Sequence, residues 1–455
     1  MAMLEPVEVV AGRFRGCLVG AVLGDCLGAP FEMQHKPSPS VLNSYFKRLH
    51  DPNLEVPYKE YTDDTAMTRC VALSLIEKKG FVAKDMAKRF VKEYFAEPRR
   101  KYGGTVVLVF NGLRATKFKD VFAPAASRFD GRGSYGNGGA MRAAPIALFC
   151  HNSSEQELVD TAKNMALITH ANKMGYNGTI LQCLAVHEAL QTTTELNGVK
   201  FIDKLIEKMR IVEQPGEDDI TDEGDEPFLY VKKLEKVLEL LEHGNSVEGE
   251  QVEEELGVQV LAHRSVPTAI YSFLRALNPI PSIETDNEFQ RTLQYAISLG
   301  GDTDTIASMA GSIAGAYYGI EEVPQTLQRH CEGVSDAIQQ ADKLYQLVKS
   351  RTSASCKQLL DASSKAFTSV KKMSLQGIRW TCTLSAHPPV SSSSPSFTAN
   401  NSFTPNTACS PTSGRPLSRA RLASMHSFVK FISNCFSLPL TPECNNSESL
   451  DINSF

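Results

Sequence analysis

The 455-residue chain lacks several features that would each have pointed to a function class. Positive charge is not in excess: 47 Lys and Arg stand against 52 Asp and Glu, a formal net charge of −5, so no global basic field recruits nucleic acid. None of its apolar runs approaches the span of about 18 residues that a bilayer requires. Met1 to Val10 has no charged-then-apolar layout, so a secretory signal is not expected; its acidic residues and lack of arginine also make it a poor transit peptide. The 11 cysteines, from Cys17 to Cys444, include no C-x-x-C pair. Zinc ligation and a disulfide framework are therefore not expected, and reduced intracellular thiols are. No Gly-Lys-Ser/Thr is present, which excludes a Walker loop. Segments alternating with period two are few, so strands should be scarce.

What the sequence does have is helical periodicity. Hydrophobic residues make up 42% of the chain, enough for a sizeable core, and length alone allows up to three domains of roughly 150 residues. Met86, Ala87, Phe90, Val91, Tyr94 and Phe95 form one stripe of a 3.6-residue period. Phe201, Ile202, Leu205, Ile206 and Met209 form a second, and Val231, Leu234, Val237, Leu238 and Leu241 a third. Pro267 suits the first position of a helix over Thr268 to Leu277. The reading is an all-α protein with one compact, many-helix orthogonal bundle over residues 13–349. Two internal segments read as loops: the acidic stretch Gln214 to Pro227, and His35 to Pro57, a long connection with four prolines and no clear period. Beyond residue 350 the chain turns Ser/Thr/Pro-rich, as in Ser391-Ser392-Ser393-Ser394-Pro395. Such composition cannot offset its ordering entropy, so 350–455 reads as a disordered tail.

Two carboxylate blocks stand at helix starts. Tyr61-Thr62-Asp63-Asp64-Thr65 precedes a helical run over Ala66 to Ile76, and Gly300-Gly301-Asp302-Thr303-Asp304-Thr305 precedes one over Ile306 to Tyr318. Taken singly, each is explained by helix capping. Taken together they suggest more, because a cap needs one oxygen and adjacent carboxylates repel unless a cation lies between them. Hard cations such as Mg²⁺ take carboxylate, hydroxyl and water oxygens. The second run carries Ala307, Ala310, Gly311, Ala314 and Gly315, a side bare enough for another backbone to approach, as in a buried central helix. Gly131-Arg132-Gly133-Ser134-Tyr135-Gly136-Asn137-Gly138-Gly139 is a third feature. Its glycines let backbone N–H groups converge on an anion, and a helix is expected to follow and add its dipole. The flexible-loop alternative is weaker than a phosphate cradle with Phe129 or Tyr135 free to stack on a base. Residues 131–136 match G-x-G-x-x-G, but Pro124 and the absence of βαβ alternation argue against a Rossmann fold. Glu32 follows a small-residue helix at the mouth of the 35–57 connection, and His170 lies in a helical context. Neither stands out alone.

Together these motifs resemble the ADP-ribosylhydrolase family over residues 13 to about 349, most closely the type acting on serine-linked ADP-ribose, poly(ADP-ribose) and O-acetyl-ADP-ribose. The resemblance implies an all-α hydrolase with two Mg²⁺ ions. It puts the metal ligands on Thr62, Asp63, Asp64, Asp302, Asp304 and Thr305, with Glu32 on a mobile flap as a further metal-side carboxylate and general acid/base. The catalytic set is then Glu32, Asp63, Asp64 and Asp302. Phosphate and ribose contacts fall on Arg132, Gly133, Ser134, Tyr135, Gly136, Asn137 and Gly138, adenine stacking on Phe129 and Tyr135, and further contacts on His170 and Val260. Two departures stand out: Lys101-Tyr102-Gly103 replaces the relatives' Gly-Tyr-Gly, and the tail after 350 has no counterpart.

The chemistry this implies is metal-assisted hydrolysis at C1″ of the distal ribose. Partners would be ADP-ribosylated proteins, poly(ADP-ribose) and O-acetyl-ADP-ribose, with no direct nucleic-acid or membrane binding and a monomeric state. The nucleus and cytoplasm suit such substrates, with a mitochondrial pool as an extension. An arginine-directed hydrolase and a non-catalytic ADP-ribose binder are the competing readings.

Overall fold

The computed structural model describes residues 7–53, 55–214 and 226–353. Among these the regular structure is helical, with no strand and two isolated bridges, Lys59 to Cys331 and Gly136 to Leu261. The all-α reading therefore holds. The tail from 354 onward and residues 215–225 of the acidic stretch lie outside the described residues. The six described cysteines (17, 26, 70, 150, 183 and 331) are buried free thiols, and no described helix is long and apolar enough to cross a membrane.

Two small-residue helices form the centre: Val7–Gly28 and Thr303–Tyr318. They run antiparallel with their backbones in contact. A Cβ at Gly16, Gly20 or Gly24 would overlap the backbone of Gly315, Gly311 or Ala307 in turn, and one at Gly28 would lie 2.6 Å from the Thr303 carbonyl oxygen. Bare faces on both helices are what permit this, since any side chain would force the axes apart. The register matters for function. It brings the end of the first helix against the start of Thr303–Tyr318, where the Thr303 hydroxyl donates to the Gly28 carbonyl at 3.0 Å. Lys173–Gln191 packs beside the pair, buried for most of its length, and Gln182 donates to the Met309 carbonyl at 3.0 Å and the Ser312 hydroxyl at 3.1 Å.

The periodic stripes become amphipathic helices at Ala83–Ala96, Gly198–Val212 and Leu229–His243, each burying most of its apolar face, while Phe95 of the first stripe stays exposed. Pro267 occupies the second position of a helix that runs Val266–Arg275, one residue deeper and shorter than the sequence suggested. The larger correction concerns 35–57, which is not one irregular connection: it contains the helix Pro39–His50. Ser38 caps it by accepting from the Val41 N–H at 3.4 Å, Pro39 opens it, and Leu42, Phe46 and Leu49 form its buried face. The prolines that suggested a loop flank the helix, and one of them starts it.

Candidate active site

The second carboxylate block opens the helix Thr303–Tyr318, and the first opens the helix Asp63–Lys78. The antiparallel seam and the packing of Asp63–Lys78 beside it bring them together. The Thr305 hydroxyl donates to Asp64 Oδ2 at 3.2 Å across 241 positions of chain. The Thr62 hydroxyl bonds the same oxygen at 3.3 Å and also accepts from the Asp64 N–H. Capping and clustering are thus both true of the first block. In the second block Asp302 occupies the cap position without a side-chain cap bond, and its Oδ2 instead accepts from Asn137 Nδ2 at 2.6 Å.

A carboxylate that sequence reasoning passed over completes the cluster. Asp25 is fully buried in the first helix and accepts from the N–H of Thr62 at 3.0 and 3.1 Å and of Thr65 at 3.1 Å. The signal was there: a lone acid within Gly16–Gly28, where residues on every face are small or apolar. Such a helix is buried all round, and a buried carboxylate needs partners. Two adjoining carboxylate groups result, Asp25–Asp64–Asp304 and Glu32–Asp302–Asp304, each with oxygens within 4.8 Å of one another and sharing Asp304. Asp63 belongs to neither group but lines the adjacent cavity.

Electrostatically the cluster is under strain. Burial pushes the carboxyls of Asp63, Asp64 and Asp304 well above the ordinary carboxylate range, and their acidic neighbours add to it. Burial also raises Asp25 and Asp302, against the hydrogen bonds they accept. Asp64 Oδ1 is buried without a hydrogen-bond partner. Hard oxygen donors, mutual repulsion and an orphaned buried oxygen are together what a divalent cation would relieve. The residues therefore fit a metal.

Glu32 stands over this cluster in the turn after the first helix, and Met33 N–H ties that turn to the Gly301 carbonyl at 2.9 Å. Lys101, the residue that departs from the resembled pattern, reaches it: its ammonium donates to Glu32 Oε2 at 2.7 Å and to the Ala29 carbonyl at 3.1 Å. Lys101 holds a φ of 62°, a left-handed backbone that glycine adopts without strain.

The glycine segment borders a cavity of about 370 Å³ beside the cluster. Gly131 and Gly133 take φ of 88° and 73°, which turns the chain so that Ser134 to Gly138 line the cavity. Asn137 N–H donates to the Val260 carbonyl at 2.9 Å, anchoring the loop to the 258–262 strip. The helix expected directly after the loop is missing. Asn137–Gly139 is a single 3₁₀ turn, and the next helix waits until Ala144–Phe149; the helix end that meets the loop is that of Lys173–Gln191, whose cap residue Asn172 donates its N–H to the Ser134 carbonyl at 3.3 Å. The Phe129 and Tyr135 rings pair at 5.3 Å between centroids, with Phe129 40% exposed at the rim. Val260 is likewise exposed on the rim.

His170 lies not within a helix but in the link between Glu155–Leu167 and Lys173–Gln191. Its ring abuts the loop: a Cβ at Gly138 would fall 2.7 Å from His170 Cε1, so only glycine fits there. Arg132 and Gly133 stay off the cavity wall. Arg132 is exposed, with Nε on the Phe129 carbonyl at 3.3 Å, and Gly133 sits too close to Asn172 to tolerate a side chain. Lining residues the sequence did not suggest are Met67, Gly103 to Val106, Met141, Arg142, Thr169 and Leu261.

The cavity joins an anion-friendly loop, stacking aromatics and a metal-type carboxylate cluster, which suits a phosphorylated nucleotide. Comparison with known proteins agrees. The profile of ADP-ribosylglycohydrolase matches residues 7–354. The chain belongs to the ADP-ribosylglycohydrolase family. It is 48% identical over 347 residues to "ADP-ribosylhydrolase ARH3" of Gallus gallus, covering 74% of this chain and 93% of the relative. It is 46% identical over 344 residues to the Homo sapiens protein of that name, with the same coverage. A solved structure described as an "ADP-ribosylglycohydrolase-related protein complex" superimposes with a TM-score of 0.53 at 23% identity, covering 75% of this chain and 99% of that one, which speaks to the fold. The family match takes in both carboxylate blocks, Asp25, Glu32 and the glycine loop, and stops where the Ser/Thr/Pro-rich tail begins. As a family member the chain is a hydrolase of ADP-ribose glycosidic linkages.

Proposed function

We propose that the chain is a Mg²⁺-dependent hydrolase that removes ADP-ribose from serine-modified proteins and also cleaves poly(ADP-ribose) and O-acetyl-ADP-ribose. The observation that carries the proposal is the meeting of Asp64 and Thr305 at the end of the glycine-lined cavity. The motif resemblance and the high identity to proteins named ARH3 support the substrate class.

Asp25, Asp64, Asp302 and Asp304 would hold two Mg²⁺ ions, with Thr62, Asp63, Thr305 and Glu32 completing the oxygen set. When bound, such a pair supplies Lewis-acid stabilisation of a departing oxygen and a site for a water. The chain's own residues do the rest. Asn137 fixes the rotamer of Asp302. The Ser134–Gly138 loop receives the diphosphate on one side, and Phe129 with Tyr135 offers the adenine a face at the rim. Cleavage at C1″ leaves negative charge on the serine oxygen while the attacking water sheds a proton, and a carboxylate at the cavity mouth would take that proton from the water and pass it to the serine oxygen. Glu32 fills that role, worth about 10²–10⁴-fold in rate. Its turn must open to admit a modified peptide and close to exclude water.

Modified proteins, including those of the nucleus and cytoplasm, are the proposed substrates, met by a monomer through transient contact. The catalytic domain is taken as 13–349. The decisive experiment compares serine- and arginine-linked ADP-ribosyl peptides side by side, measuring released ADP-ribose with Mg²⁺ and with excess EDTA. Release from serine alone, abolished by EDTA, supports the proposal. Preference for arginine makes it the arginine-directed enzyme, and tight ADP-ribose binding with no release makes it a binder.

A further inference from the structure

Arg142 is the largest fully buried side chain in the described protein, and the chemistry above gives it nothing to do. No carboxylate pairs with it among the described residues. Its guanidinium instead donates to the Gly138 carbonyl at 2.6 Å and the Thr169 hydroxyl at 2.6 Å, points Nε at the Met165 sulfur at 3.1 Å, and lies 4.8 Å over the Phe90 ring. Asp63 acts on the guanidinium only through space, and a buried guanidinium with no carboxylate in contact is costly to keep, so what its hydrogen bonds accomplish is the question.

The Thr169 oxygen also lies 2.7 Å from His170 Nδ1. A guanidinium has donors and no acceptor, so Thr169 must accept from Arg142. The threonine's own proton then needs an acceptor, and the described structure offers only His170 Nδ1. Were Nδ1 protonated instead, the hydroxyl would face two donors and its proton would have no protein acceptor among the described residues. The ring is held neutral by burial, with the nearby guanidinium acting in the same direction. With Nδ1 accepting, the proton of the neutral ring resides on Nε2, the nitrogen that faces the glycine loop at Gly136 and Gly138.

We propose that Arg142, acting through the Thr169 hydroxyl, fixes the His170 proton on Nε2 and so makes that nitrogen a standing donor to a diphosphate oxygen in the loop. Arg142 and Thr169 are positioning residues in this arrangement, and a neutral donor suits the place: an imidazolium there would crowd the guanidinium, and the opposite tautomer would turn a lone pair toward an anion. The same guanidinium bonds the Gly138 carbonyl, which draws that oxygen away from the anion and holds the loop beside the ring. The part of the inference that concerns the ligand rests on the function proposed above; the part that concerns the proton does not.

The test separates the two. Long-range ¹H–¹⁵N correlation spectra of the full chain, ¹⁵N-labelled at histidine and free of metal and ligand, report the tautomer of each ring, with His170→Gln assigning the signal. The expected pattern is Nε2–H with a pyridine-like Nδ1; an Nδ1–H pattern overturns the proposal. Thr169→Val should erode that pattern and weaken ADP-ribose binding about tenfold by calorimetry, and Thr169→Ser should restore both. Arg142→Met risks the fold, so the threonine pair carries the test. If Thr169→Val keeps wild-type tautomer and affinity, the relay is wrong. If the wild type binds no ADP-ribose while the spectrum shows Thr169-dependent Nε2–H, the function proposed above fails and the proton relay stands.

Discussion

Replacing Asp304 by Asn should move stability in opposite directions with and without metal, because Asp304 belongs to both carboxylate groups. Two charges about 4 Å apart repel by about 4 kcal/mol at an effective dielectric of 20, and the groups shared by Asp304 contain several such pairs. Proton uptake relieves most of this in the metal-free fold, since burial already raises these carboxyls. We therefore take about 1–3 kcal/mol as the net gain from one neutralised member. At about 2 °C per kcal/mol for a domain of this size, metal-free Asp304→Asn should melt about 2–6 °C above the wild type near pH 7.5. The amide oxygen can keep the bond from the Thr305 N–H, now 2.9 Å. Saturating Mg²⁺ should reverse the order. At one hundred times its dissociation constant a ligand stabilises by about 2.7 kcal/mol, about 5 °C for the wild type, and the variant should gain far less. The pH sign comes from the raised folded-state pKa values. Stability from these carboxyls is fully present below their unfolded value near 4 and is lost as pH rises through the folded value. The metal-free gap between variant and wild type should thus widen from pH 5 to pH 7.5. Differential scanning calorimetry in EDTA and in Mg²⁺ reads all of this. Equal melting of the two proteins in EDTA, or an equal Mg²⁺ gain, would mean that Asp304 neither repels its neighbours nor helps to hold the ion.

Two further substitutions probe the frame around the cluster. Gly24→Val drives a branched side chain into the Ala307 backbone; overpacking of this kind costs about 1–3 kcal/mol, and parting Asp25 from Asp304 should cut ADP-ribose release more than melting alone explains. Lys101→Gly removes a lysine held at φ 62°, a left-handed backbone that costs about 1 kcal/mol, along with a partly exposed ion pair worth about 0–1 kcal/mol. Melting should stay level or rise slightly, while amide hydrogen exchange over 29–34 quickens as Glu32 loses its tether; unchanged exchange would mean Lys101 does not hold the flap.

Helix positions were legible because amphipathic stripes repeat with the period of the element they form, as in Ala83–Ala96 and Gly198–Val212. Pro39–His50 was obscured by its prolines, which read as breakers, although Leu42, Phe46 and Leu49 stand at helical spacing. The two Asp-Thr blocks were visible as unusual charge density, but their meeting was not, since it depends on a glycine seam whose register only the packed helices reveal. Asp25 was hidden for a related reason: one acid in a small-residue helix becomes informative once that helix is known to be buried on every side. Arg142 and Thr169 are ordinary in the sequence, and their connection to His170 exists only in three dimensions.

In this site Asp63-Asp64 and Asp302–Thr305 would share divalent cations. Anomalous diffraction from crystals grown with Mn²⁺ in place of Mg²⁺ tests this sharing most directly. Strong peaks are expected between Asp25, Asp64 and Asp304 and between Glu32, Asp302 and Asp304, both lost in the Asp304→Asn protein. A map with no peak at this cluster, from protein that still releases ADP-ribose, would contradict a shared metal site.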